Sequence, residues 1–361
     1  MTKRDYSMLG TDGARAVETG LAAAQWYHTE VPRKDMKALM QRSDAPAIRD
    51  TIILCGCMIL FAGIGIYLWP SWWSAPFWLA YGVLYGSASD SRWHEASHGT
   101  AFKTPWMNNV VYEIASFMIM RNSATWRWSH ARHHTDTYIV GRDPEIAIMR
   151  PPVFAKVIAG FFGIPDVAAF FPRMIYNAFV GVHPDEKTYV PASEWGKIVK
   201  VARISTVIYA ATLALAVWSH SILPLMVIGL PRLYGAWHHV MTGLLQHGGL
   251  ADNVIDHRLN SRTVYMNPIS RFIYWNMNYH VEHHMFPMVP FHALPRLHEA
   301  IKHDLPAPNT SIAQAFAEMW PALLRQLKNE EYFIKRTLPA TAKPYREDFH
   351  AAALGQTTAA E

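Results

Sequence analysis

Eight histidines fall into three short clusters whose spacing suits metal binding. WHEASHGTAF carries His94 and His98, WSHARHHTDT carries His130, His133 and His134, and NYHVEHHMFP carries His280, His283 and His284. On a helix, residues i and i+4, or i, i+3 and i+4, share a face, so each cluster can aim at least two imidazoles at one point. A lone histidine near a bilayer is ordinarily a polar anchor, and His28, His183, His220, His303 and His350 are read that way. Three clusters in one chain, each close to the end of an apolar run, point instead to a shared ligand set.

Ligand type and number narrow the metal. Eight imidazole nitrogens with no thiolate exceed the roughly four ligands of a zinc site, but suit two metals that share the set and keep open positions. A non-haem diiron centre is the first expectation, with zinc the metal most readily found there by mistake. His247 in GLLQHGGL is a ninth candidate ligand, whereas His238 and His239 in AWHHVMTG are expected at the membrane interface. A ligating histidine needs an acceptor on its other ring nitrogen. Asp136, Asp143, Asp252, Asp256, Glu95 and Glu282 lie near the clusters in sequence and are expected to supply acceptors, and Asn278 to orient a water or ligand.

The elements that hold these residues must be partly membrane-embedded. Of 361 residues, 51% are hydrophobic, 13% aromatic and 17% charged, which is too apolar for an ordinary soluble domain. Span candidates occur in two pairs, 51–69 with 75–88 and 201–218 with 221–237. The turns inside each pair carry no Lys or Arg, while Arg33, Lys34, Lys37, Arg42 and Arg49 precede the first span and Arg121, Arg127, Arg132 and Arg142 stand between the pairs. The positive-inside rule therefore puts both termini and all three clusters in the cytoplasm. The segments 110–120 and 153–171, the latter broken at Pro165 and Asp166, read as helices lying at the interface or packed beneath the spans. The expected division is a cytoplasmic segment 1–50, a membrane domain 51–303, and a cytoplasmic helix and polar tail 304–361. The fold class is thus an all-α integral membrane protein: two transmembrane hairpins, four spans in all, with a cytoplasmic helical cap holding the histidines.

Several classes are set aside by the same reading. The net charge of +5 is spread without a basic block, so nucleic acid is not an expected partner. Cys55 and Cys57 are the only cysteines, which excludes a disulfide framework, a four-cysteine zinc site and an iron–sulfur cluster held by this chain. The polar N-terminus lacks the apolar stretch of a cleaved signal peptide. A metal transporter or receptor would carry its ionisable ligands within the spans, whereas these clusters lie outside the apolar runs.

HEASH, HARHH and NYHVEHHMFP, ordered around two pairs of spans, resemble the three histidine boxes of the membrane-bound fatty acid desaturase and hydroxylase superfamily. The resemblance covers roughly 50–300 and is most specific in NYHVEHHMFPMVPFHALPRLH. It implies two iron ions held by His94, His98, His130, His133, His134, His280, His283 and His284, with His247 similar to an extra histidine before the third box. It also implies oxidation of an unactivated C–H bond with dioxygen, most simply desaturation of a fatty acyl chain. No HPGG haem-loop signature stands in this chain, so the electron donor implied is a separate ferredoxin with an NAD(P)H-dependent reductase. WHEASHGTAFKT, TWRWSHARHHTDTYIVGRDPEI and DHRLNSRTVYMNP are similar to a bacterial hydrocarbon-oxygenase branch that includes the rhizopine-catabolism oxygenase, which is associated with a Rieske-type ferredoxin. That branch makes hydroxylation or oxidative O-demethylation of a small molecule the alternative. An acyl substrate calls for an apolar tunnel lined by residues such as Trp93, Phe117 and Trp275; a small polar one calls for a short pocket, with Arg232 as a polar contact or as a side chain snorkelling to the surface.

Overall fold

The apolar run that follows Ser43 forms one helix, Asp44–Tyr67, with Asp44 in its first turn and Pro70 just beyond its C-cap. In the computed structural model, which describes residues 4–22 and 24–343, its outward side chains Ile52, Ile59 and Leu60 remain exposed, and Trp72 and Trp73 crown the turn that follows. A second long helix, Trp195–Trp218, likewise exposes Val207, Leu213 and Val217. Aliphatic faces of this kind are stable against lipid and not against water, so the protein is a membrane protein.

Two helical stretches, Arg33–Tyr67 and Ala192–Trp218, are long and apolar enough to cross a membrane. Phe154–Phe161 and Ile164–Phe179 make a third only if the pair, bent by 85°, counts as one span. The break comes at left-handed Gly163, just ahead of Pro165, where a Cβ would meet the Arg232 carbonyl oxygen at 2.5 Å.

The partners of the long helices are less regular than a pair of plain hairpins. Ala75–Val83 runs without interruption through a π-helical stretch, Leu84–Ala88, into Ser89–Ser97, so the expected second span delivers the first histidine box directly. The expected fourth span, 221–237, is not one helix. Leu223–Val227 stops, left-handed Gly229 turns the chain, and Pro231 opens a second short helix, Pro231–Gly235, because proline lacks the N–H that continuation requires.

Histidine-bearing helices gather under these elements: Ser89–Ser97, Ser123–Thr135, Trp237–His247 and His280–Met285. Asn122 caps Ser123–Thr135 by accepting from the N–H groups of Ala124 and Thr125. Pro105–Met118 backs the first box through buried Trp93, Ala96, Tyr112 and Ala115. Ile312–Gln326 closes over Leu244 and Leu245, giving the helix expected in the C-terminal segment. His350 and the polar end of the chain lie outside the described residues. Among the described residues no strand forms, only the isolated bridges Thr263 to Tyr279 and Val264 to Asn309, so the fold is all-helical.

Candidate metal centre

All nine candidate ligands converge, and they divide into two groups. His94, His98, His130, His134 and His283 bring ring nitrogens within 4.8 Å of one another, and so do His133, His247, His280 and His284. The division follows helical geometry. His130 and His134, four apart, enter the first group while His133 turns to the second; His280 and His284 enter the second while His283 turns to the first. Positions i and i+4 differ by about 40° around the axis, and i+3 lies about 100° from i+4, so an HxxHH box feeds both groups at once.

Nitrogen faces nitrogen within each group. His94 Nε2 stands 2.6 Å from His283 Nε2 and His130 Nε2 3.1 Å from His98 Nε2. In the second group, His280 Nε2 lies 3.0 Å from the Nε2 atoms of both His247 and His284. Several outer nitrogens are tied down. His133 Nδ1 meets Asp143 Oδ2 at 2.8 Å, His130 Nδ1 meets Glu145 Oε2 at 3.1 Å, and His247 Nδ1 meets the Asn260 carbonyl at 2.8 Å. An Nδ1 that donates to such an acceptor leaves its Nε2 a bare lone pair.

The electrostatics keep these rings neutral. Burial, reinforced by neighbouring imidazoles, pushes His94, His130, His134, His280, His283 and His284 well below the ordinary histidine value, and His98 to about 4. His133 is the exception: burial would lower it, but the Asp143 carboxylate outweighs burial and raises it. Burial lifts the Glu145 carboxyl to about 7. Inward-facing lone pairs repel each other, and both nitrogens of His134 lack a hydrogen-bond partner among the described residues. Two cations, each taking one nitrogen set, fit this donor chemistry.

Of the six acids expected to support the ligands, only Asp143 meets one. Asp136 sits one turn beyond Arg132 and pairs with it at 2.7 Å and with Arg142 at 3.0 Å. Asp252 pairs with Arg4 and Arg150, and Asp256 with Arg258 at 2.7 Å. Glu282 engages His298 and accepts from Thr263 at 2.6 Å, and Glu95 accepts the Phe291 N–H at 3.0 Å. Asn278 donates to the Val264 carbonyl. The acceptors missed from sequence were Glu145, two residues past Asp143 in GRDPEI, and the Asn260 carbonyl, which no side-chain pattern announces.

His238 and His239 join neither group. They are not simple interfacial anchors, for His238 Nε2 reaches Ser270 at 3.2 Å and His239 Nδ1 pairs with Asp90 at 2.9 Å. His28, His183, His220 and His303 also stay outside both groups. His257 and His298, not singled out in sequence, are both buried close to the site.

A cavity of about 430 Å³ opens beside His94, His130, His133 and His247. Trp93, Trp126 and Tyr138 form part of its wall, with Asp90, Arg121, Asp166, Arg232 and His239 farther along. Arg232 does not snorkel: it is buried, donating to Asp166 at 2.5 Å and to the Gly86 carbonyl of the π-helical stretch at 2.5 Å. Of the aromatics expected to line an acyl tunnel, Trp93 lines this cavity. Phe117 stacks on Tyr209 instead, and Trp275 stacks on Phe291 and donates to Asp50.

Comparison with known proteins agrees with this geometry. The fatty acid desaturase family model matches residues 67–316. A chloroplastic omega-3 fatty acid desaturase of Sesamum indicum is 25% identical over 81% of this chain and 68% of its own length. An endoplasmic-reticulum acyl-lipid omega-3 desaturase (cytochrome b5) of Arabidopsis thaliana is 24% identical over 73% of this chain and 72% of its own. A temperature-sensitive sn-2 acyl-lipid omega-3 desaturase (ferredoxin) from the same plant is 25% identical over 71% of this chain and 61% of its own. With the matched region running from the end of the first long helix through all three histidine boxes, the chain belongs to the fatty acid desaturase family and is an oxidoreductase of that class.

Proposed function

We propose that this protein is a membrane-bound, dioxygen-dependent desaturase of fatty acyl chains, with two iron ions held by His94, His98, His130, His134 and His283 on one side and by His133, His247, His280 and His284 on the other. The observation that carries the reading is the convergence of nine imidazoles into two groups beside one cavity. Iron bound there supplies the activation of dioxygen needed to remove hydrogen from an unactivated C–H bond. The chain's own contribution is placement. Asp143, Glu145 and the Asn260 carbonyl fix ring orientation, while Trp93 and Trp126 exclude water from the wall beside His94 and His130. A multi-pass arrangement, with 51–303 as the membrane domain and the histidines on the cytoplasmic side of a bacterial inner membrane, is supported by the exposed aliphatic faces and the positive-inside pattern. A separate ferredoxin as electron donor, fed by an NAD(P)H-dependent reductase, is supported by the relatives that carry ferredoxin in their names.

The charged stretch of the cavity wall favours a second reading, hydroxylation or O-demethylation of a smaller polar molecule with electrons from a Rieske-type ferredoxin. Asp90 with Arg121 and Asp166 with Arg232 form ion pairs there that a plain acyl tail would not use. Mass spectrometry of cells expressing wild type or His283→Ala, each with a ferredoxin and its reductase, separates the two. Membrane acyl chains that lose a hydrogen pair only with the wild type establish the desaturase. Unchanged lipids, with a hydroxylated or demethylated metabolite absent from the variant, establish the second reading.

A further inference from the structure

Four rings form a ladder from the protein surface into the histidine groups. Half-buried Trp26 stacks on His257 with centroids 4.2 Å apart and planes within 6°. His257 faces His284 at 4.9 Å and 33°, and His284 lies on His134 at 4.4 Å and 26°. His284 belongs to the second group and His134 to the first, so the ladder reaches both.

His257 has no role in the site as described. It is buried, it belongs to neither group, and its Nδ1 has no hydrogen-bond partner among the described residues. Its position between Trp26 and His284 is nevertheless held firmly. Trp26 Nε1 donates to the Thr135 carbonyl at 2.9 Å, the Tyr27 N–H to the Ile255 carbonyl at 3.1 Å, and the Tyr27 and Thr29 hydroxyls both donate to Asp304. The N-terminal segment is thus strapped over the second group with one indole laid flat on one imidazole. All four histidines of that group are buried, so an electron from a docked donor must cross the protein shell.

We propose that Trp26 and His257 form the electron entry to the metal centre, with a docked one-electron donor of the ferredoxin class delivering to the exposed edge of Trp26. This rests on the reading that the histidines hold redox-active iron. Each transfer oxidises the donor's iron–sulfur centre by one electron and reduces one ferric ion to ferrous. No bond to either ring forms or breaks, and neither ring is left oxidised. Centroid separations of 4.2, 4.9 and 4.4 Å along the ladder give the electron short through-space gaps in place of a longer path through saturated side chains.

The test uses iron-loaded full-length protein in lipid nanodiscs, as wild type, Trp26→Leu, Trp26→Phe and His257→Leu. Iron per chain is measured first. The rate of anaerobic reduction is then followed by the absorbance of the metal centre, with saturating reduced ferredoxin and separately with a small viologen mediator. Trp26→Leu and His257→Leu should slow reduction by ferredoxin roughly tenfold or more, leave iron content and mediator-driven reduction unchanged, and Trp26→Phe should recover most of the rate. Equal ferredoxin-driven rates in wild type and Trp26→Leu, or equal slowing in Trp26→Leu and Trp26→Phe, would overturn the ladder while leaving the metal assignment standing. A wild type that holds no reducible iron would overturn the metal assignment itself, and the ladder with it.

Discussion

His133 and His134 are neighbours in the chain, yet their rings stand at 80° to each other and serve different nitrogen groups. One helix turn therefore feeds both halves of the site, and losing either residue should empty one half and spare the other. His133→Ala and His134→Ala should each lower bound iron to about half of the wild-type level and abolish product formation, with membrane insertion intact. Metal analysis of the purified variants checks this. Full iron occupancy and activity in either one would remove that residue from the ligand set.

Asp143 takes one carboxylate oxygen to His133 Nδ1 and the Tyr138 N–H, both at 2.8 Å, and the other to the Glu145 N–H. It thereby fixes both a ligand and the loop that presents Glu145 to His130. Asp143→Asn keeps the shape but lacks the charge that raises His133, and should weaken iron retention by roughly 10- to 100-fold. Competition against a graded series of chelators reads this directly. Retention equal to wild type would mean that the His133 ring is held by packing alone.

The spacing of the three boxes made the convergence of these histidines legible because helical periodicity converts i and i+4 directly into a shared face. The same rule, applied to i+3, accounts for the split into two groups once the helices are in place. The supporting carboxylates were not legible in this way. Asp136 lies much nearer to His133 in sequence than Asp143 does, but Arg132 one turn earlier captures it, and only the course of the following loop brings Asp143 back. The regular fourth span failed for a local reason that the sequence does contain, Gly229 and Pro231 within the apolar run. Hydropathy alone gives no weight to that signal. His257 had no neighbouring histidine to mark it, because its partners are Trp26 and His284, far away along the chain.

The strap that carries Trp26 should respond to acid in a defined direction. Burial would raise the Asp304 carboxyl, but hydrogen bonds from Tyr27 at 2.5 Å and Thr29 at 2.7 Å, with Arg258 at 3.0 Å, outweigh it and hold the group below the usual aspartate range. A carboxyl lowered on folding stabilises fully above its unfolded value of about 3.9 and loses that contribution as pH falls through its folded value. The strap should therefore stay docked at about pH 5 and release only in stronger acid. Removing one donor with Tyr27→Phe should move release to higher pH. Limited proteolysis of the N-terminal segment with an acid-active protease, followed across pH, measures both. Superimposable profiles for wild type and Tyr27→Phe would mean that Asp304 does not govern docking.

Gly82 and Gly235 set the distance between the helix that delivers the first box and the broken segment before His247. A Cβ on Gly235 would stand 1.8 Å from the Gly82 carbonyl oxygen, a collision with backbone that no rotamer relieves. The same approach lets Ser87 donate to the Gly235 carbonyl at 2.6 Å and accept the His239 N–H at 2.8 Å, and lets Arg232 reach the Gly86 carbonyl. Gly235→Ala should push these elements apart, cost about 1–3 kcal/mol or more of stability, and loosen the cavity wall that Arg232 and His239 help to form. Gly56→Ala is the control: a Cβ there meets nothing within 4 Å, and its effect should stay within about 0.5 kcal/mol. Thermal unfolding of both variants in detergent decides the matter. If Gly235→Ala melts with the wild type, the contact is not what holds the two segments in register.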